Sequence, residues 1–319
     1  LRPLLHRFGQ PPEVVAASGT YLLLFGASLW PMMVGHAGKQ YAEALNHPWP
    51  PTVVVLGSVL LNVLLNWVLI YGHWGAPALG LEGAGWATLL ARVAMMLGIL
   101  GYLLRAPALR RFQPARWWVP LRWQRLRRLL DLGWPVAAQH LIEIGAFVFA
   151  ALMMGWIGTD AIAAHQIAIN CAATSFMFAL GIGMAVCIRV GHAWGAGHHA
   201  RMRRIGFVGL GMSTVAMGSF AVLFMTAGVP IARLFITSPA VVVLAGQLLF
   251  IAAIFQVADG IQVTALSALR GLTDVRVPAL VAALTYWIIA VPLGYLLAFP
   301  AQRGAVGIWI GLATGLGAA

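Results

Sequence analysis

Charge is what this sequence has least of. Only 9% of its 319 residues are Asp, Glu, Lys or Arg, against about 25% in an ordinary soluble domain. With 61% hydrophobic residues, that shortage excludes a water-covered surface and implies a chain that crosses a bilayer many times. Acid is scarcer still. The formal net charge is +12, an excess that raises nucleic acid as a partner. The cations sit in short stretches between apolar runs, and no separate basic domain exists to carry a phosphate footprint, so nucleic acid is not expected. Cysteine is almost missing: Cys171 and Cys187 both lie in apolar runs and make no disulfide framework. No His-Glu-x-x-His run occurs, and no nucleophile has a base at motif spacing. His140 and Glu143 are three apart, but one pair on one helix is not a metal site. His192, His198 and His199 read as a solvated loop. No metal, no cofactor and no intramembrane enzyme are expected.

What the sequence does hold is long apolar runs. A membrane helix needs about 20 apolar residues. On that measure spans are predicted at 14–35, 51–72, 84–104, 131–156, 161–186, 205–228, 240–265 and 277–299. A last run from Gly304 to Ala319 is too short to cross. The apolar pattern breaks most sharply between Arg105 and Arg128. Eight arginines stand there: Arg105, Arg110, Arg111, Arg116, Arg122, Arg125, Arg127 and Arg128. Each would cost about 2.5 kcal/mol or more in a bilayer core, so this stretch is expected at the cytoplasmic surface. Alternation then puts fifteen of the twenty Lys and Arg residues inside, including Arg189, Arg201, Arg203, Arg204, Arg270 and Arg276. Arg2, Arg7, Arg233 and Arg303 fall outside and Arg92 within a span. The bias supports both the spans and their direction. A bacterial inner membrane is the expected location and the lipid bilayer the expected surrounding.

The chain also repeats weakly. Pro12 and Pro51 are 39 residues apart, and so are Pro239 and Pro278. Gly80-Leu-Glu-Gly83 then lines up with Gly304-Ala-Val-Gly307. Three helices separate the basic stretch from the second copy and none precede the first, so three further helices are expected ahead of Leu1. The predicted fold is an all-α polytopic membrane protein of two six-helix lobes related by a parallel repeat, a plan common among transporters.

Polar residues inside spans are where function is sought first. Two carboxylates lie deep: Glu143 and Asp259. Together they suit a proton, a sodium ion or a cationic substrate. Amides accompany them at helical spacing. Gln139 precedes Glu143 by one turn; Phe255, Asp259 and Gln262 form one stripe, and Gln166 and Asn170 another. In the first lobe Asn62 and Asn66 are four apart, with Thr88 on the next helix. Such amides line wet cavities or bond between helices. Pro31, Pro135 and Pro292 each delete a helix hydrogen bond within a span.

Several stretches, in order, carry a resemblance. They are LNVLLNWVLIYG ending at Gly72, PALGLEGAGWAT from Pro77, LGWPVAAQHLIEIGAF from Leu132, AAHQIAIN from Ala163, IRVGHAWGAG from Ile188, FQVADGIQ from Phe255 and LRGLTDVRVP from Leu269. The chain resembles the multidrug and toxic compound extrusion family, most closely its NorM-like branch. The resemblance implies a monomeric antiporter that exports cationic, aromatic small molecules in exchange for Na⁺ or H⁺ by alternating access. It implies that Glu143 and Asp259 bind the coupling ion and that Gln139, Phe255, Gln262, Gln166 and Asn170 line the second lobe's cavity. Asn62, Asn66 and Thr88 would line the first lobe's cavity. Residues 1–104 would be helices 4–6, 105–130 the inter-lobe loop, and 131–319 helices 7–12. Phe255 departs from a tyrosine common in that branch, and a phenyl ring offers Na⁺ no oxygen, so the ion stays open. A lipid-linked oligosaccharide flippase of the same superfamily is the alternative, although such a protein lines its cavity with arginines.

Overall fold

The computed structural model describes residues 12–113 and 122–318. Arg2, Arg7 and Arg116 lie outside them. Among the described residues there are nine helices and no strand. They are α1 (Pro12–Ala44), α2 (Trp49–Tyr71), α3 (Gly80–Arg105), α4 (Trp123–Ile157), α5 (Thr159–Gly195), α6 (His199–Phe235), α7 (Pro239–Gly271), α8 (Arg276–Ala298) and α9 (Gly304–Ala318). Seven of them, α2 to α8, are long and apolar enough to cross a membrane. Their outer faces are correspondingly apolar: α2 fully buries only Pro51, and Val59, Leu60 and Val63 point outward.

Several helices outrun the predicted spans. The 37 residues of α5 and of α6 make rods of roughly 55 Å at 1.5 Å per residue, against an apolar core of about 30 Å. Arg189, Arg201, Arg203 and Arg204, expected in a loop, are therefore helical. So are Arg125, Arg127 and Arg128, because α4 begins at Trp123 rather than at 131. Arg270, also assigned to a loop, lies in the last turn of α7. Helix α6 likewise passes through Pro230 and ends at Phe235, seven residues beyond its predicted end.

The chain divides into two compact units, Leu1–Val119 and Pro120–Ala319. In the first, α3 packs against both α1 and α2. Its core holds Ala42, Met95, Ile99, Leu103 and Leu109. In the second, α7 is the central helix and packs on α5, α6 and α9. Leu248, Leu249 and Ala252 of α7 are fully buried, as are Met153, Met154 and Trp309 around it.

The repeat read from prolines and glycines has a structural basis. Helices α1 and α7 start at Pro12 and Pro239. Pro51 and Pro278 fall in the first turn of α2 and α8, where a missing N–H costs nothing. The third helix of each triplet, α3 or α9, packs on the two before it. Gly80 and Gly304 open those third helices with φ of 54° and 55°, a left-handed conformation that glycine adopts freely. Gly83 and Gly307 then let each third helix touch the preceding one. A Cβ at Gly83 would fall 2.4 Å from the Leu69 carbonyl oxygen, and one at Gly307 2.6 Å from the Ala298 nitrogen.

Helix α8 is not uniform. Thr285–Ala290 forms a π turn, immediately before Pro292. The proline ring cannot donate to the carbonyl four residues back, and a wide turn is one way a helix absorbs that loss.

Candidate functional site

The acidic pair of the second unit is assembled by three helices. On α4, Gln139 and Glu143 are one turn apart, and the Gln139 amide donates to Glu143 Oε1 at 2.7 Å. While Glu143 keeps partial exposure, Gln139 is only 1% exposed. Its other amide atom, Oε1, accepts from Arg270 Nη2 of α7 at 3.0 Å. The result is a line from Arg270 to Gln139 to Glu143, buried at its middle member and half-buried at its ends. On the other side of the carboxylate, His140 Nδ1 lies 3.4 Å from Glu143 Oε2. No cluster able to hold a metal ion occurs among the described residues.

Asp259 on α7 is within electrostatic reach of Glu143. Tyr286 on α8, 3% exposed, is within electrostatic reach of both. Its ring packs near Phe147 of α4, centroids 6.2 Å apart. The next residue pins the wall: Trp287 Nε1 donates to the Ile142 carbonyl at 3.1 Å. The π turn thus carries Tyr286 and its clamp side by side.

Two like charges held together in a low dielectric repel strongly. Their repulsion is relieved by one shared cation or proton. Carboxylate oxygens are hard donors, suited to such an ion.

The remaining expected residues fall differently. Phe255 is buried in the apolar core, its ring 5.9 Å from Trp309. Gln262 is buried, and its Oε1 has no hydrogen-bond partner among the described residues. Gln166 and Asn170 are exposed on α5, and among the described residues no side-chain bond ties them to the carboxylates. In the first unit Asn66 donates to Asn62 Oδ1 at 3.0 Å. Thr88 bonds back to the Ala84 carbonyl of its own helix at 2.9 Å. Arg92, in the middle of α3, donates to Ser28 Oγ at 2.6 Å and lies 4.9 Å from the Phe25 ring centre.

Sequence reasoning passed over Arg270 and Tyr286 as members of this site. Arg270 read as one loop cation among many. Tyr286 could have been found as a tyrosine at the middle of a span, the depth expected of Glu143 and Asp259. Gln256, beside Phe255, was also missed. It is 1% exposed, and neither amide atom has a partner among the described residues. His165 accepts a hydrogen bond at Nδ1 from Trp309 Nε1 at 3.1 Å, which fixes α9 on α5.

Residues 135–296 match the MatE family. The chain is 37% identical over 316 residues to a probable multidrug resistance protein NorM of Bradyrhizobium diazoefficiens, covering 98% of this chain and 68% of that protein. It is 37% identical over 331 residues to a probable multidrug resistance protein NorM of Pseudomonas putida, covering 100% of this chain and 70% of the other. Among solved structures, the Vibrio cholerae MATE transporter VcmN in its bent form superposes with a TM-score of 0.87 at 22% identity, over 99% of this chain and 70% of that one. A eukaryotic MATE transporter superposes with a TM-score of 0.87 at 19% identity, over the same shares.

Proposed function

Because this chain belongs to the MatE family, on the match over residues 135–296 and relatives 37% identical across nearly its whole length, we propose that it is a multidrug efflux transporter that exports cationic, aromatic compounds by exchange with Na⁺ or H⁺. The protein is an integral multi-pass membrane protein. The cation distribution supports the stretch from Arg105 to Arg128 lying on the cytoplasmic side, and the bacterial relatives support an inner-membrane location.

The observation that carries the reading is that Glu143 and Asp259 stand within electrostatic reach of each other inside the second unit. When neither is neutralised they repel, and the pair attracts a cation. A coupling ion arriving from outside binds between them and displaces a cationic drug held by the same charges. Gln139, fixed by Arg270, orients the Glu143 carboxylate for that exchange. The Tyr286 hydroxyl, within electrostatic reach of both carboxylates, supplies a further oxygen in the absence of a hydroxyl at Phe255. Alternating access then requires only that the two occupants be bound in turn, with the protein shifting between states that each favours. Deep acidic charge also opposes an anionic, lipid-linked substrate. Arg92, the arginine at mid-span in the first unit, already bonds to Ser28.

The test is efflux of a fluorescent cation such as ethidium from cells carrying the full-length protein, started by a Na⁺ pulse or an acid pulse. Glu143→Gln and Asp259→Asn should each abolish pulse-driven efflux at unchanged membrane abundance. The pulse that drives the unmodified protein names the ion. Normal efflux in either variant refutes the reading.

A further inference from the structure

Between α5 and α6 the surface of the second unit opens into a groove of about 1290 Å³. One end is ringed by Arg189 of α5 and Arg201 and Arg204 of α6. All three are exposed, and the ion pairs among the described residues, Lys39 with Glu43 and His140 with Glu143, include none of them. No acidic side chain lines the groove. Away from the arginines its walls are Met177, Phe178 and Ile182 on α5 and Val208 and Met212 on α6. The two helices meet at its floor, where Gly209 lies directly on Val186.

The dimensions and chemistry suit one class of occupant. Met177 and Arg189 are 12 residues apart on one helix, or roughly 18 Å along its axis. That is close to the depth of one leaflet's hydrocarbon, about half of 30 Å. A trough of this length with cations at one end matches an acyl chain that ends in an anionic headgroup. A cationic drug would be repelled by the three guanidinium groups. A small water-soluble anion would leave the apolar trough unused. A zwitterionic lipid would neutralise less of the charge. Guanidinium groups also bind phosphate oxygens in bidentate pairs, and anionic lipids draw basic segments to the cytoplasmic leaflet. We propose that this groove is a binding site for an anionic glycerophospholipid of the bilayer, with its phosphate held by Arg189, Arg201 and Arg204 and an acyl chain laid between α5 and α6.

The site is remote in composition from the carboxylate pair, so its test does not depend on transport. The full-length protein in detergent would be mixed with phosphatidylglycerol or with phosphatidylcholine of the same acyl chains, and bound lipid counted by native mass spectrometry. The unmodified protein should retain phosphatidylglycerol in preference. Arg189→Gln, Arg201→Gln and Arg204→Gln combined should weaken that retention roughly a hundredfold, about fivefold per arginine. Gly181→Leu with Ala185→Leu, which fills the trough and leaves the arginines in place, should also release the lipid; a Cβ at Gly181 meets nothing within 4 Å. Arg125→Gln, Arg127→Gln and Arg128→Gln on α4 should leave retention unchanged, and excess inorganic phosphate should not displace the lipid. Equal retention of both lipids, unchanged retention in the first triple variant, or equal loss in the α4 variant would overturn the proposal. Displacement by phosphate alone would overturn it in favour of a free-anion site.

Discussion

Replacing Gln139 by leucine removes both bonds of the line that runs from Arg270 to Glu143, while keeping a side chain of similar volume. Each bond has a charged partner, and such bonds contribute about 1.5–3 kcal/mol. In the proposed ion site, the bond at stake is the 2.7 Å contact with Glu143. If it orients the carboxylate, its loss at about 1.4 kcal/mol per factor of ten lowers pulse-driven efflux by roughly 10- to 100-fold. A general weakening of the fold could imitate that result, since Gln139 is buried. A double-mutant cycle separates the two. Gln139→Leu would be made alone, Glu143→Asp alone, and then both together, with drug efflux per molecule in proteoliposomes as the readout. Glu143→Asp keeps a charge but shortens its side chain, so the amide no longer reaches it. Gln139→Leu should then cost much less in the Glu143→Asp background than in the unmodified protein, because contacting residues are not additive. Gln139→Glu is a further arm. It keeps an acceptor for Arg270 and sets a like charge against Glu143, and it should also depress efflux. Additive losses in the cycle, or normal efflux per molecule in Gln139→Leu, would refute the idea that Gln139 acts through Glu143.

Tyr286→Phe keeps the ring that packs near Phe147 and removes only the hydroxyl. It should reduce the response to the driving ion at least severalfold, with an apparent melting temperature close to that of the unmodified protein. His165→Phe should lower that temperature, because it leaves the buried Trp309 indole N–H without its acceptor, a loss of about 1–3 kcal/mol. Gly311→Ala should be more damaging than its size suggests. The new Cβ would lie 2.4 Å from Gly294 Cα and 2.7 Å from the Ala290 carbonyl oxygen, backbone atoms that cannot turn aside. Overpacking of this kind costs about 1–3 kcal/mol, readable as a lower melting temperature in detergent.

The spans were legible because run length in an apolar sequence is set by bilayer thickness. Their ends were not, because α5 and α6 continue as helix past the core, where arginine and histidine no longer oppose burial. The repeat was readable from Pro12, Pro51, Gly80 and their counterparts because proline and glycine act on the backbone itself. The Gln139–Glu143 bond follows from a four-residue spacing on one helix. The Arg270–Gln139 bond joins residues 131 positions apart, and Tyr286 belongs to a third helix. Both depend on how α4, α7 and α8 pack, which no local pattern states. For the same reason the stripe of Phe255, Asp259 and Gln262 did not reveal that Phe255 turns into the core against Trp309.

The wide turn at Thr285–Ala290 holds backbone slack at the level of Tyr286. Its bonds reach one residue further than those of the helix on either side, so the segment contains a surplus residue. Passing that surplus along the helix by a residue would re-aim the side chains it crosses by about 100°, one step of a 3.6-residue turn, without sliding either end. A rod without slack must tilt or unwind to do the same. Such a step in α8 would turn Tyr286 about the helix axis while both ends of the helix stay in place.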